Sequence, residues 1–289
     1  MINGVRSADQ YVYHYTSANT ARNYILKDAT LLLSPYASTN DPKETKDWQF
    51  GLGTWQNRDL GKYKHSALSS WLSAELKRRT RLACFSTDVP PLSGSHMSDI
   101  LNRGYAKPRM WAQYAEKHTG ICLVFLKSSL LEVVKTHLKS LELVAGPVVY
   151  QNRLVVRSLE PHEFMLNIDV YESVGESKYA QAHAHQFMPE LFFEKLQDWR
   201  DENEWRIVAF TDSPDNLLIP IRQCLAGVVH GDSTDPDISE ELMRLTFGWN
   251  GVEHMGLNWK NSSPWYDYES FGWQPGKVTG PRRRARGAA

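Results

Sequence analysis

The sequence predicts an α+β fold, a single mixed domain spanning residues 1–250. Three observations carry that expectation. Short β-rich or apolar runs, YVYHYT at 11–16, ICLVF at 121–125 and EWRIVAF at 204–210, alternate with stretches of helical spacing. The two kinds of segment interleave without the regular strand–helix–strand spacing of a doubly wound sheet. The chain of 289 residues is 42% hydrophobic and 23% charged, enough to bury a sizeable core.

Taken in order, Tyr11–Thr16 reads as a first strand. The run SANTARNYILKDATLLLS reads as a short helix, capped by Ser17 or Asn19 with Ile25 and Leu26 on its apolar face, then a buried strand at Leu31–Leu33. SPYASTNDPKE is dense in turn formers and is expected to be a loop. Residues 45–80, polar with spaced Trp, Leu and Tyr, are expected to be helical, Arg81–Thr87 a strand and Asp88–Ser98 a loop. Met110, Trp111, Tyr114 and Ala115 recur at helical spacing within 105–118, with Gly120 as the expected stop before the strand Ile121–Phe125. A helix over Ser128–Leu138, a strand from Gly146 to Tyr150 and mostly helical chain over 158–199 follow. The strands Glu204–Phe210 and Cys224–His230 and a helix over Ser239–Phe247 complete the domain. Residues 251–279 are expected to be an irregular extension rich in aromatic residues and Gly, and 280–289 a disordered basic tail.

Several classes are disfavoured. No apolar run approaches the roughly 20 residues that cross a bilayer, and the start MINGVRSADQ lacks a signal-peptide layout. Cys84, Cys122 and Cys224 are dispersed in apolar stretches, which fits reduced thiols in a cytoplasmic protein better than a disulfide framework or a structural zinc site. G-x-G-x-x-G, G-x-x-x-x-G-K-[ST] and G-x-S-x-G are absent, so neither a Rossmann site, a P-loop nor a hydrolase elbow is supported. The 33 basic and 33 acidic groups balance, but Arg282, Arg283, Arg284 and Arg286 crowd the end. That tail is either a solvated terminus or an electrostatic hold on a nucleic-acid backbone.

Glu202-Asn203-Glu204-Trp205-Arg206 is the sharpest chemical feature. On a strand, a period of two places Glu202, Glu204 and Arg206 on one face. Neighbouring carboxylates split their proton affinities, so one acts as base or anchor while the other stays ionised. The bland alternative is an exposed strand with paired charges. His14 and Thr16, with Tyr15 between them on the opposite face, offer ring and hydroxyl groups for a ribose or amide. Ser86 and Thr87 are hydroxyls at a strand end; Asn40 and Asp41 before Pro42, with Glu44, suit a turn or a site rim. Trp111, Tyr114 and His118 form a helical aromatic stripe, read as core or as pocket wall. His183 and His185 are rejected as metal ligands, because positions two apart on a helix do not face together. No metal is expected.

The ordered set HYTS, ILKDATLLLSPYASTNDPKE, ACFST, MWAQYAEKHTGICLVF, WRDENEWRI and CLAGVVHGDST resembles the bacterial domain-of-unknown-function family 2971 across about residues 11–250. More distantly, the opening resembles DarT-type ADP-ribosyltransferases, whose signature is a His- or Arg-bearing first strand, a Ser-Thr strand and a late Glu or Glu-x-Glu. The matching positions are His14, Ser86-Thr87, and Glu202 with Glu204; Asp88 stands where a third Ser would fall. That resemblance implies a central, mostly antiparallel split sheet and an NAD-dependent enzyme, a bacterial toxin or defence effector. In it Glu204 stabilises the oxocarbenium-like ribosyl state and Glu202 accepts the nucleophile's proton. His14, Tyr15, Thr16, Ser86, Thr87 and Arg206 would bind the cofactor, and Tyr36 and Trp111 would stack on nicotinamide or a base. The alternative is a non-catalytic nucleotide-sensing or interaction module. The acceptor of a transferred group, protein or nucleic acid, is not specified.

Overall fold

The computed structural model describes residues 5–56, 58–152, 162–249, 251–267, 273–274 and 277–278. The described residues contribute fourteen strands between Tyr11 and Asp267: β1 Tyr11–Thr16, β2 Thr30–Pro35, β3 Gly51–Gly53, β4 Thr80–Thr87, β5 Ile121–Leu126, β6 Glu142–Pro147, β7 Val149–Tyr150, β8 Met165–Asn167, β9 Glu194–Lys195, β10 Glu204–Phe210, β11 Leu217–Pro220, β12 Leu225–Gly231, β13 Glu253–Lys260 and β14 Ser263–Asp267. Ten of them form one large mixed sheet, β11-β2-β4-β1-β5-β12-β13-β14, with β10 branching from β4 and β6 pairing onto β10. Its pairings are antiparallel except β12 with β13, which is parallel.

The branch explains the shape. One edge of β4 pairs with β10 along its length, from Thr80↔Phe210 to Ser86↔Glu204. The other edge is divided between two partners: Ser86 and Thr87 pair with Tyr13 and Val12 of β1, and Leu82 and Arg81 pair with Ser34 and Pro35 of β2. At Ala83–Phe85 the sheet parts.

Strand alternation sorts side chains onto two faces. Val12, Ala83, Phe85, Leu123, Phe125, Trp205 and Ile207 share one core face. It is covered by the helical segment Ala18–Asp28 and the helices Lys127–His137 and Pro236–Leu245. Ser17 caps the first of these, its hydroxyl accepting from Thr20 N at 2.9 Å. The opposite face carries two separate clusters. One joins Leu82 and Val208 to Leu72 and Leu76 of the helix His65–Arg79, Tyr179 and Ala184 of the helix Glu176–Gln186, and Phe192. The other joins Tyr13, Tyr15 and Val124 to Tyr105, Met110 and Trp111.

Several expectations are corrected. Among the described residues of 45–80, Thr45 ends a preceding helical turn and the one helix is His65–Arg79; Gly51, Gly53 and Gly61 disfavour a helix upstream. The Ser69 and Ser73 hydroxyls instead accept from the amides of Phe50 and Trp48 on extended chain. The loop 34–44 contains a 3-10 turn, Tyr36–Ser38, and a helical turn, Pro42–Thr45, capped by Asp41. The helix in 105–118 covers only Pro108–Tyr114; Glu116, Lys117 and His118 are left-handed, with φ of 46°, 55° and 74°. Gly120 is therefore not the stop. It is required because a Cβ there would lie 2.4 Å from the Thr16 carbonyl oxygen.

Residues 158–199 include the strands β8 and β9 besides three helices, and 153–161 lie outside the described residues. The extension from 251 is not irregular where it is described: Met255 and Leu257 of β13 bury into the sheet cluster that holds Tyr13, and β14 closes that edge. The large sheet thus runs past residue 250. The arginine tail lies outside the described residues. No helix among the described residues is long and apolar enough to cross a membrane.

Candidate functional site

Where β1 leaves β4, a cleft of about 390 Å³ opens between the two side-chain clusters of the same sheet face. Its floor is β4 and β2, contributing Leu82, Cys84, Ser86, Leu32 and Ser34. Tyr13, His14 and Tyr15 form one wall with Met110, Gln113 and Tyr114; Asn40, Glu44, Lys195, Glu202 and Glu204 form the other.

Local geometry brings the carboxylates together by a route the spacing alone does not show. Glu202 is not on a strand; it ends the 3-10 turn Gln197–Glu202. Asn203 is left-handed, φ 44°, and Glu204 begins β10. The Asn203 amide donates to Thr87 Oγ1 at 2.7 Å and to the Thr87 and Asp88 carbonyls at 3.1 Å each. Thr87 Oγ1 in turn donates to Asn203 O at 3.0 Å. Thr87 therefore holds this turn and does not line the cleft.

The two carboxylates are joined by Lys195, which is 4% exposed. Its Nζ lies 2.8 Å from Oε2 of Glu202 and 2.8 Å from Oε2 of Glu204. Tyr114 OH donates to Oε1 of Glu202 at 2.6 Å, and Asn40 Nδ2 donates to Tyr114 OH at 2.8 Å. Arg206, fully buried, binds both oxygens of Glu204, contacts Oε1 of Glu44, and donates to Phe192 O at 2.8 Å. The expected shared face of Glu204 and Arg206 is present, and Tyr150 OH accepts from the Glu204 amide at 2.8 Å. Burial alone would raise the Glu204 pKa, but Arg206 and then Lys195 outweigh it and hold the carboxyl at about 2. Burial raises Glu44, only partly offset by Arg206 and Lys195. Lys195 is disfavoured as a cation by burial, yet Glu204, Glu44 and Glu202 raise its pKa. The phenol of Tyr114 is pushed up by burial and by Glu202.

His14 meets the cleft from the seam. The Thr87 amide bonds to Asn203 O, so alternation turns the Cys84 carbonyl toward the β1 side, where no strand partner remains. His14 Nδ1 takes it at 3.0 Å, and the ring packs 5.7 Å from Phe85. With Nδ1 donating, Nε2 is the acceptor and has no protein partner among the described residues. Burial lowers the His14 pKa and so favours the neutral ring. Ser86 is 1% exposed and its hydroxyl has no protein partner.

Other expected site residues fall elsewhere. Tyr36 and Trp111 are each fully buried; Tyr36 donates to Leu191 O at 3.1 Å and Trp111 Nε1 to Tyr105 O at 2.7 Å. They are core, and neither is a stacking platform. Thr16 is buried beside Gly120 and does not line the cleft. Asp41 caps the turn Pro42–Thr45, accepting from Lys43 N at 2.9 Å. Tyr15 lines the cleft, but its hydroxyl is committed to Gly104 O at 2.7 Å. His118 belongs to a separate shallow groove with Asp232 and Trp259. Asp88, in the position of a third serine, pairs with the buried Arg103 at 2.9 Å and anchors the following loop. His183 bonds to Glu163 O inside the core while His185 is at the surface with Glu142.

Sequence reasoning missed Lys195, Cys84 and Tyr150. The only signal for Lys195 was a charged pair, Glu194-Lys195, inside an aromatic run, and β9 is too short to show a strand period.

Fold and site together define a mixed α/β protein with a parted sheet and a buried Glu–Lys–Glu–Arg cluster at the parting. A family model described as "Protein of unknown function (DUF2971)" matches residues 110–207, a stretch that includes Tyr114, Lys195, Glu202, Glu204 and Arg206. No curated protein and no solved structure matches the chain.

Proposed function

We propose that the cleft binds NAD and that the protein is an ADP-ribosyltransferase-like enzyme cleaving the nicotinamide–ribose bond. One observation carries the reading: His14, Ser86, Glu202 and Glu204, far apart in sequence, line one cleft where the sheet parts. The cleft has the volume of small-molecule sites. Three carboxylates, Glu44, Glu202 and Glu204, stand there against two cations, Lys195 and Arg206. Carboxyl oxygens fixed in a buried site favour a ribosyl group that becomes positive as the bond to nicotinamide breaks. Ser86 Oγ and His14 Nε2 supply a donor and an acceptor for the ligand. A toxin or defence role, with an acceptor on protein or nucleic acid, remains part of this proposal, as does contact of the Arg282–Arg286 segment with nucleic acid.

A second reading, a nucleotide-sensing module, is favoured by the ion pairs of Glu204, since a carboxylate held by both Arg206 and Lys195 also serves as a structural anchor. Calorimetric titration with NAD, followed by a nicotinamide-release assay, separates the two. Binding with release by the wild type and none by Glu204→Gln is the expected result. Binding without release supports the module, and a folded protein giving neither sinks both.

A further inference from the structure

Among the described residues Lys195 is the one cation that touches both Glu202 and Glu204. Around its ammonium stand Glu202 from the 3-10 turn, Glu204 and Arg206 from β10, and Glu44 from the turn Pro42–Thr45. The Trp199 ring covers it at 5.2 Å, and Arg109 packs on the same ring at 5.2 Å. Tyr114 closes the far side of Glu202. A lysine stem in this position is long, flexible and costly to order, so its charge must be matched by what it holds.

The lone pairs can be counted. An ionised carboxylate has about four acceptor positions. Tyr114 and Lys195 occupy two on Glu202; Arg206, through two nitrogens, Lys195 and the Cys84 thiol occupy four on Glu204. About two positions are left for a ligand, both on Glu202, and both accept. Without the ammonium Glu204 would keep Arg206, but Glu202 would face it with no cation between them, and like charges that close repel.

We propose that Lys195 is a positioning residue: its ammonium clamps Glu202 and Glu204 side by side with their remaining oxygens as acceptors, so the cleft floor selects a ligand group rich in hydroxyl donors, such as a ribose diol. The selection rests on the NAD reading above; the clamp does not. Two experiments therefore run together. The first is a double-mutant cycle in urea unfolding with Lys195→Met, Glu202→Gln and the double variant. A clamp predicts that Lys195→Met destabilises strongly with Glu202 present and far less in the Glu202→Gln background. Equal losses in both backgrounds mean the lysine only fills space, and overturn the proposal. The double variant keeps Glu204 paired to Arg206, so it reports even where Lys195→Met alone fails to fold.

The second is NAD titration from pH 5 to 8. Lys195→Met is expected to weaken binding on the order of ten- to a hundredfold and to make it pH-dependent, with Lys195→Arg recovering part of the loss. Unchanged, pH-independent NAD binding by Lys195→Met overturns the selection. Absence of NAD binding by the wild type, with coupling intact in the cycle, overturns the NAD reading and leaves the clamp standing.

Discussion

Asn203 shows how much a single residue decides here. It supplies a left-handed backbone and three hydrogen bonds to the end of β4, and so sets the spacing of the carboxylates on either side of it. Asn203→Ala loses both contributions and is expected to cost about 2–4 kcal/mol. Asn203→Gly keeps the backbone conformation and is expected to cost about half that. Urea unfolding of the two variants checks the order. If Ala is the milder change, the turn does not depend on the left-handed residue. The Glu-x-Glu pair was legible in the sequence, but on a mistaken ground. Alternation along a strand was expected to align the carboxylates, whereas a turn and a lysine align them. Tyr36 and Trp111 were misplaced because an aromatic side chain looks the same from sequence whether it packs a core or lines a pocket.

Among the elements, β1, β10 and β5 were readable because each is a run of β-branched, aromatic or apolar residues long enough to show its type. The chain over 45–64, β9 and the strands after residue 250 were not. Their segments are short or glycine-rich, and only the neighbours they pair with make them strands. The left-handed turn Glu116–His118 is another feature settled by its neighbours. It lies so close to β12 that a Cβ on Gly231 would stand 2.1 Å from the His118 carbonyl oxygen and 3.1 Å from Trp111. Gly231→Ala must displace that backbone and is expected to cost about 2 kcal/mol or more. Thermal unfolding measures it, and a melting temperature equal to the wild type's would show that the turn yields freely.

At the scale of the whole molecule, acid should act through buried histidines. His230 and His254 bond to each other at 2.9 Å, and His254 to Thr246 Oγ1 at 2.8 Å. Burial depresses both, His254 to about 4, and the His254 partner further depresses His230; burial also takes His183 to about 4. The unfolded chain, with histidine pKa near 6.5, therefore binds more protons than the folded one below that pH. Their contribution is complete above about pH 6.5 and is lost as pH falls toward 4, at roughly 1.4 kcal/mol per histidine per pH unit. Stability curves at pH 7.5 and 5 should differ by several kcal/mol, and His254→Gln should reduce the difference. A flat profile over that range would contradict the burial of the pair.

The divided edge of β4 also bears on where the polypeptide can be cut. One side of the seam holds β1, β5, β12, β13 and β14, and the other holds β2, β4, β6, β10 and β11. In chain order the path starts on the first side, crosses for β2 and β4, returns for β5, crosses again for β6, β10 and β11, and returns for β12 onward. Four passages stitch the halves, so no single cleavage yields two self-sufficient pieces. The stretch 110–207 takes β5 and the beginning of β10 but neither β1 nor β4, the strands that join them. Excised alone, it would leave unpaired strand edges and no closed cleft, and it would not be expected to fold as an autonomous unit.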